Sequence, residues 1–202
     1  MPTTSPRLTP LAVMVLALLR EDDMHPYEMV RVLKRRRDDR MVSITNGTLY
    51  HTVGRLHEQQ LVVEVGVDRE GNRPERTTYS LTEAGRGAVV DWVRTQLPQN
   101  THPDRFRVAL AEAHNLDRTE VISLLTQRRD ALTADLDTHL AGLGSAADRG
   151  VPDQFLVEVD RQRHLIQTDL AWTENLLTRL ADPAFAWGVT EDTPPDPLGL
   201  HS

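Results

Sequence analysis

Between Thr45 and Gln60 the chain reads TNGTLYHTVGRLHEQQ, crowding hydroxyls, an amide, an imidazole, a phenol and a guanidinium into one short stretch. These are hydrogen-bond donors and acceptors without the companions a catalytic group needs. No Gly-x-Ser-x-Gly elbow, Walker-type loop or His-Glu-x-x-His run occurs anywhere, and Gly85-Arg86-Gly87-Ala88 reads only as a helix start. With 0 cysteines, thiol nucleophiles, disulfides and Cys-ligated metal are excluded. The 8 histidines raise a metal site, but no pair stands four apart with a supporting carboxylate, so neither a metal nor another cofactor is expected. The chemistry on offer is recognition rather than catalysis.

Leu49, Val53 and Leu56 recur at helical spacing. Asn46-Gly47, a pair that ordinarily turns a hairpin, therefore begins a helix capped by Thr45 or Asn46 and running to Gln60. Its other face carries Thr48, His51, Thr52, Arg55 and Gln59. Such a face can offer donors and acceptors to base edges in a major groove, while free amides at the N-terminus attract phosphate and Gly47 permits close backbone approach. An ordinary amphipathic helix with a solvated polar face shows the same pattern.

The elements that must position this helix follow from the flanking sequence. Thr9-Pro10 reads as a cap and first position for an apolar helix over Leu11–Leu19. His25-Pro26-Tyr27-Glu28 repeats that entry before Met29, Val30 and Leu33, and the second helix ends near the basic run Lys34, Arg35, Arg36, Arg37, Arg40. Those cations suit phosphate contact, and equally suit a helix C-terminus offset by Asp38 and Asp39. After Gln60 the period shortens: Leu61–Val67 and Thr77–Leu81 read as a hairpin whose long tip holds Arg69, Arg73 and Arg76 among acidic neighbours. Thr82 then caps a helix through Val89, Trp92, Val93 and Leu97. Helix, turn, polar-fronted helix and arginine-bearing ribbon make a winged helix-turn-helix in sequence form.

The remainder has helical periods alone. After a short segment from Asp104 to His114, a helix capped by Asp117 and Glu120 carries Ile122, Leu125, Leu132, Leu136 and Leu143; another, capped by Asp153, carries Val159, Ile166, Leu170, Leu177 and Leu180. The link GSAADRGVP permits an antiparallel pair. Trp92 and Trp172 suit core or dimer-interface packing, or a stacking wall for an aromatic or apolar effector. The expected effector and dimer surface comprises Trp92, Leu125, Leu132, Ile166, Leu170, Trp172 and Leu177. Phe185 and Trp187 can dock from an otherwise loose, Pro-rich tail.

The net charge of -7 is uneven, with 14 Lys and Arg against 13 Asp and Glu up to Leu97 and 9 against 17 beyond it. That asymmetry fits a first half that approaches a polyanion and a second that faces solvent or a partner. The apolar run Leu11–Leu19 is too short to span a bilayer and lacks a cleavage pattern, so a cytoplasmic protein without membrane association is expected.

LAVMVLALLREDDMHPYEMVRVL, GTLYHTVGRLHEQQLV and TTYSLTEAGR, in that order, resemble the winged-helix domain of PadR-family transcriptional regulators over Leu8 to Leu97. The second half, through DLAWTENLLTRL, is similar to the AphA-like C-terminal domain of that family's larger subfamily. The resemblance implies a homodimer joined through the C-terminal helices and the helix that carries Trp92, binding double-stranded DNA at a pseudo-palindromic operator, in this family usually as a repressor relieved by a small molecule. By position it implies DNA contacts from Thr45, Gly47, Thr48, Tyr50 and His51 with wing arginines. With Asn46, Arg55, Lys34 and Arg36 from the reading above, these make up the expected DNA-binding set. Pro26, His51, Gly54, His57 and Gln60 depart from the family, which commonly has Gly, Pro, a basic residue, Glu and Gly there.

The expected fold is mainly α: a winged helix-turn-helix with a two-stranded β wing over 1–97, an antiparallel helical dimerisation and effector domain over 98–182, and a flexible tail over 183–202.

Overall fold

The computed structural model describes residues 8–68 and 76–188. The wing-tip residues Arg69 and Arg73 and most of the Pro-rich tail lie outside the described residues. The chain divides into two compact units. One comprises the residues up to Gln96 together with Asp104–Asn115, and the other Leu97–Pro103 with Leu116–Gly188.

The first unit begins with α1 (Pro10–Leu18), where Thr9 accepts the Ala12 amide at 3.2 Å and Pro10 takes the first position. Leu11, Val13, Met14, Val15, Leu16 and Leu18 are all buried, as expected of a helix enclosed on most sides. In α2 (Pro26–Arg35) the cap is reciprocal: His25 Nδ1 accepts from the Tyr27 amide and Glu28 Oε2 from the His25 amide. Met29, Val30 and Leu33 turn inward. After a 3-10 turn at Asp38–Arg40 comes α3 (Asn46–Glu58), burying Leu49, Val53 and Leu56. Each such side chain contributes about 1.5–3 kcal/mol. Helical burial thus overrides the turn preference of Asn-Gly.

Gln60 leaves α3 with φ of 59°, a left-handed conformation, at the position where the family resemblance has glycine. The strands β1 (Val62–Asp68) and β2 (Arg76–Leu81) form an antiparallel ribbon, with the register shifting between Glu64 and Gly66. Thr82 closes the ribbon onto α4 (Glu83–Gln96). Its hydroxyl donates to the Gln60 and Leu61 carbonyls, each at 2.9 Å, and accepts the Gly85 amide at 3.0 Å. At Gly85 the helix backbone crosses so near β1 that a Cβ would stand 2.2 Å from the Leu61 carbonyl oxygen.

The expected boundary at residue 97 needs correction. Beyond Pro103, α5 (Pro103–Ala111) and the 3-10 turn Ala113–Asn115 belong to the first unit. Phe106, Val108, Ala109 and Ala113 are buried, and Arg107 donates to the Arg40 carbonyl at 2.9 Å.

In the second unit α6 (Arg118–Asp148) and α7 (Val157–Ala181) pair antiparallel, since Arg128 meets Asp169 while Arg118 meets the carbonyl of Leu180. Three expectations are revised here. GSAAD is not a link but the last part of α6, held by buried Ala146 and ended at Gly150, whose φ is 69°. The amides of Gly150 and Val151 bond back to Ala147 and Ala146, a left-handed cap. Asp117 stands at the cap of α6 without a side-chain capping bond, and Asp153 opens a 3-10 turn, with α7 beginning four residues later. The buried stripe of α7 runs through Ile166, Thr173, Leu176 and Leu180, leaving Leu170 and Leu177 half-buried on its flank.

The tail also begins later than 183. Arg118 donates to the carbonyls of Leu180, Asp182 and Phe185, Trp187 Nε1 donates to the Leu116 carbonyl at 3.1 Å, and Arg179 lies 4.6 Å from the Phe185 ring centroid. Residues 183–188 are thereby fastened to the second unit.

Candidate nucleic-acid interface

The front of α3 is built by two threonines. Thr45 Oγ1 accepts the Thr48 amide at 3.1 Å, and Thr48 Oγ1 accepts the Thr45 amide at 3.1 Å. This reciprocal cap satisfies two amides that a helix start otherwise leaves open and fixes where the first turn points. With Leu49, Val53 and Leu56 turned inward, Asn46, Gly47, Thr48, Tyr50, His51, Gly54 and Arg55 all lie exposed on the remaining surface. Thr52 is half-buried and spends its hydroxyl proton on the Thr48 carbonyl at 2.7 Å, which leaves it an acceptor. A Cβ on Gly47 or Gly54 would meet nothing within 4 Å. Neither glycine is demanded by the fold, so both leave room for a molecule outside it.

Tyr50 stands 46% exposed, with its ring held edge-on to that of His25 at 6.1 Å between centroids. The cap of α2 and the outward face of α3 thus share an aromatic contact that sequence spacing did not reveal, because the two residues are far apart along the chain. Lys34 is exposed, as are Arg31, Arg35 and Arg37, and their positive charge is available to phosphate.

Arg36 is a correction to the expected set. Both its terminal nitrogens donate to the Glu21 carboxylate, at 2.7 and 2.6 Å, and its side chain is only 12% exposed. It ties the end of α2 to the turn after α1 and belongs to the scaffold. Near it, burial raises the Asp38 carboxyl despite the opposing Arg36 and Arg40 charges. Glu112, just past the end of α5, is pushed up to about 7, mainly by burial, although Asn115 and Arg20 favour its charged form. Glu21, Asp38 and Glu112 thus form an acidic group on which the charges of Arg20, Arg36 and Arg40 act.

Of the wing arginines, Arg76 opens β2. The expected effector and dimer surface divides. Trp92 is core, with Nε1 donating to the Leu8 carbonyl at 3.1 Å, and Leu125, Leu132 and Ile166 are buried within the chain. Those four are corrected to packing residues, because their apolar area is already covered. Leu170 and Leu177 are half-buried, and Trp172 is 42% exposed. Arg128 is buried and binds the Gln99 carbonyl and the Asp169 carboxylate. Burial lowers its pKa, with Asp169 opposing. Among the described residues no group of three His, Asp or Glu is placed to hold a metal ion, and no helix is long and apolar enough to cross a membrane.

Residues 15–90, which span this helix-turn-helix and its wing, match the model of the Transcriptional regulator PadR-like family. This segment is a PadR-like domain. That family consists of transcription regulators, not enzymes. Among solved structures, Bacillus subtilis PadR in complex with operator DNA is 20% identical over 85% of this chain and 99% of that one, with a TM-score of 0.41. The same Bacillus subtilis protein in complex with p-coumaric acid is 18% identical over 86% of this chain and 100% of that one, at 0.37. The smu.1604c protein of Streptococcus mutans UA159 is 17% identical over 84% and 95%, at 0.39. No curated protein matches the chain. The PadR-like segment contains every expected DNA-facing residue, and the helices beyond it lie outside the match.

Proposed function

We propose that this protein is a cytoplasmic, homodimeric repressor that binds a pseudo-palindromic operator in duplex DNA and is released by a small apolar or aromatic molecule. The observation that carries the reading is the outward face of α3. Its start is fixed by the Thr45–Thr48 cap, and it exposes Asn46, Tyr50, His51 and Arg55 inside the segment that matches a family of regulators. Thr45, Gly47 and Thr48 bring the helix N-terminus to phosphate, while His51 and Arg55 read base edges. Lys34 and the wing residues Arg69, Arg73 and Arg76 add backbone contacts.

A second copy of the chain covers the apolar surface of the second unit. Val157, Leu165 and Trp172 are exposed at heptad-like intervals on α7, Phe155 is exposed two residues before it, and Leu140 is exposed on α6. Two recognition helices related by a twofold axis then meet successive major grooves about 34 Å apart.

The test is fluorescence anisotropy with the duplex upstream of the protein's own gene. Affinity should fall steeply with salt, and Tyr50→Ala or Arg55→Ala should weaken binding by about 1–3 kcal/mol while sedimentation still reports a dimer. Unchanged affinity in both variants would remove α3 from the groove. A monomer at micromolar concentration would refute the pairing.

A further inference from the structure

The recognition helix and the wing are joined by a polar cluster that no expected DNA contact involves. Tyr79 of β2 uses both backbone groups toward the residue before the α2 cap: the Met24 amide donates to its carbonyl, and its amide to the Met24 carbonyl, each at 3.1 Å. Tyr79 therefore faces Glu64 of β1 as a non-hydrogen-bonded pair, the type that brings opposed side chains closest. The Tyr79 hydroxyl donates to Glu64 Oε1 at 3.4 Å. His57, near the end of α3, places Nδ1 3.9 Å from that same oxygen and meets the Tyr79 ring edge-on at 5.9 Å between centroids. Immediately beyond, Val65 is left out of the register, and pairing resumes at Gly66 opposite Thr78. Such a bulge turns the strand, so the direction in which the wing departs is decided at this cluster.

We propose that His57, Glu64 and Tyr79 are positioning residues that lock the root of the wing to the end of α3, more tightly when the imidazole carries a proton, and so strengthen the wing's hold on DNA. The proposal rests on the DNA-binding reading above. Glu64 is the ion-pair partner of His57 among the described residues. Arg55 and Glu58 flank it on α3, and Asp22, Asp23 and His25 lie on the segment around Met24. The Tyr79 hydroxyl is held above its usual range by burial and by Glu64, so it remains a donor throughout the neutral range. A protonated imidazole at this place adds a charge-to-charge attraction toward Glu64 Oε1, which makes the lock sensitive to pH.

His57 and Glu64 are 45% and 47% exposed, and the pair is screened accordingly. The expected change in affinity is about two- to fivefold. Mixed-sequence duplex DNA at low salt serves as probe, because it needs no known operator. Wild type should bind more tightly at about pH 6 than at about pH 8. Glu64→Gln, which keeps an acceptor for Tyr79 and leaves every histidine in place, should reduce that ratio. His57→Lys should raise the affinity at the higher pH and so reduce the ratio while Glu64 is present, His51 accounting for what pH dependence remains, and should lose that gain with Glu64→Gln. In the free protein, hydrogen exchange at the amides of Val63 and Thr78 should slow at the lower pH, beyond the intrinsic change, in wild type and not in Glu64→Gln. An unaltered pH ratio in Glu64→Gln, or the same exchange protection in both proteins, overturns the proposal. Failure of wild type to bind any duplex overturns the DNA reading instead, and the exchange measurement then decides the lock by itself.

Discussion

Replacing Gly85 by alanine adds a single methyl group to a helix, a change that elsewhere favours folding. Here the new carbon would lie 2.2 Å from the Leu61 carbonyl oxygen and 2.6 Å from Leu81 Cδ1. The leucine terminus can rotate away. The carbonyl cannot, because it already accepts the Thr82 hydroxyl at 2.9 Å and the Thr82 amide at 3.2 Å. Relief requires α4 to lift from the base of the wing, at a cost of about 3 kcal/mol for overpacking against backbone. For a unit of this size that lowers the melting temperature by about 12–24 °C. Gly54→Ala is the matched control, since its Cβ would meet nothing within 4 Å and the site is the interior of α3. It should stabilise by about 0.5–1 kcal/mol through helix propensity. Thermal and urea unfolding, followed by Trp92 fluorescence with Trp172 and Trp187 replaced by Phe, reads the first unit alone. A Gly85→Ala protein within about 0.5 kcal/mol of wild type would refute the close-approach reasoning, since that is the scatter of ordinary surface changes.

Arg128→Ala should destabilise the second unit by about 3 kcal/mol, because it strands the Asp169 carboxylate and the Gln99 carbonyl; urea midpoints of Arg128→Ala and Arg128→Met, which restores volume only, separate charge from packing. Glu112 is raised to about 7 in the folded chain from an ordinary 4.5, so the fold favours its protonated form. That contribution is complete below about pH 4.5 and is lost as pH rises through 7; Glu112→Gln should therefore stabilise at pH 8 by up to about 3 kcal/mol and change little at pH 4.5, as denaturation midpoints at both values will show. Thr45→Ala removes the acceptor for the Thr48 amide and should cost about 1 kcal/mol of stability, with Thr45→Ser restoring it.

The helices of the first unit were legible because local chemistry and burial agree there. Thr9-Pro10, His25-Pro26 with Glu28, and Thr82 cap helices where they stand in the sequence. What was hidden depended on partners distant along the chain. Nothing near Arg36 announces that Glu21 will take both its nitrogens, so it resembled the exposed Lys34 and Arg35. In α7 the leucines at 170 and 177 stood in for Thr173 and Leu176 on the buried stripe, since the seam accepts the polar Thr173 beside Leu176, its hydroxyl closed onto the Asp169 carbonyl at 2.8 Å. Likewise GSAADRGVP, opening at Gly144, suggested a break, but burial of Ala146 carries α6 past it to Asp148. The attachment of α5 to the first unit had no local sign either, because it is made by Arg107 reaching the Arg40 carbonyl.

The fastening of residues 183–188 to the start of α6 also orders events during synthesis. Arg118 must wait for the carbonyl of Phe185, 67 residues later, and the Leu116 carbonyl for the indole of Trp187, 71 residues later. The second unit cannot close until nearly all of its chain has left the ribosome. The first needs nothing described beyond Asn115 and is free to fold while α6 is still being made. A nascent chain thus presents a formed α3 before α6 and α7 can close on each other, and an assay on ribosome-bound intermediates would meet the first unit first.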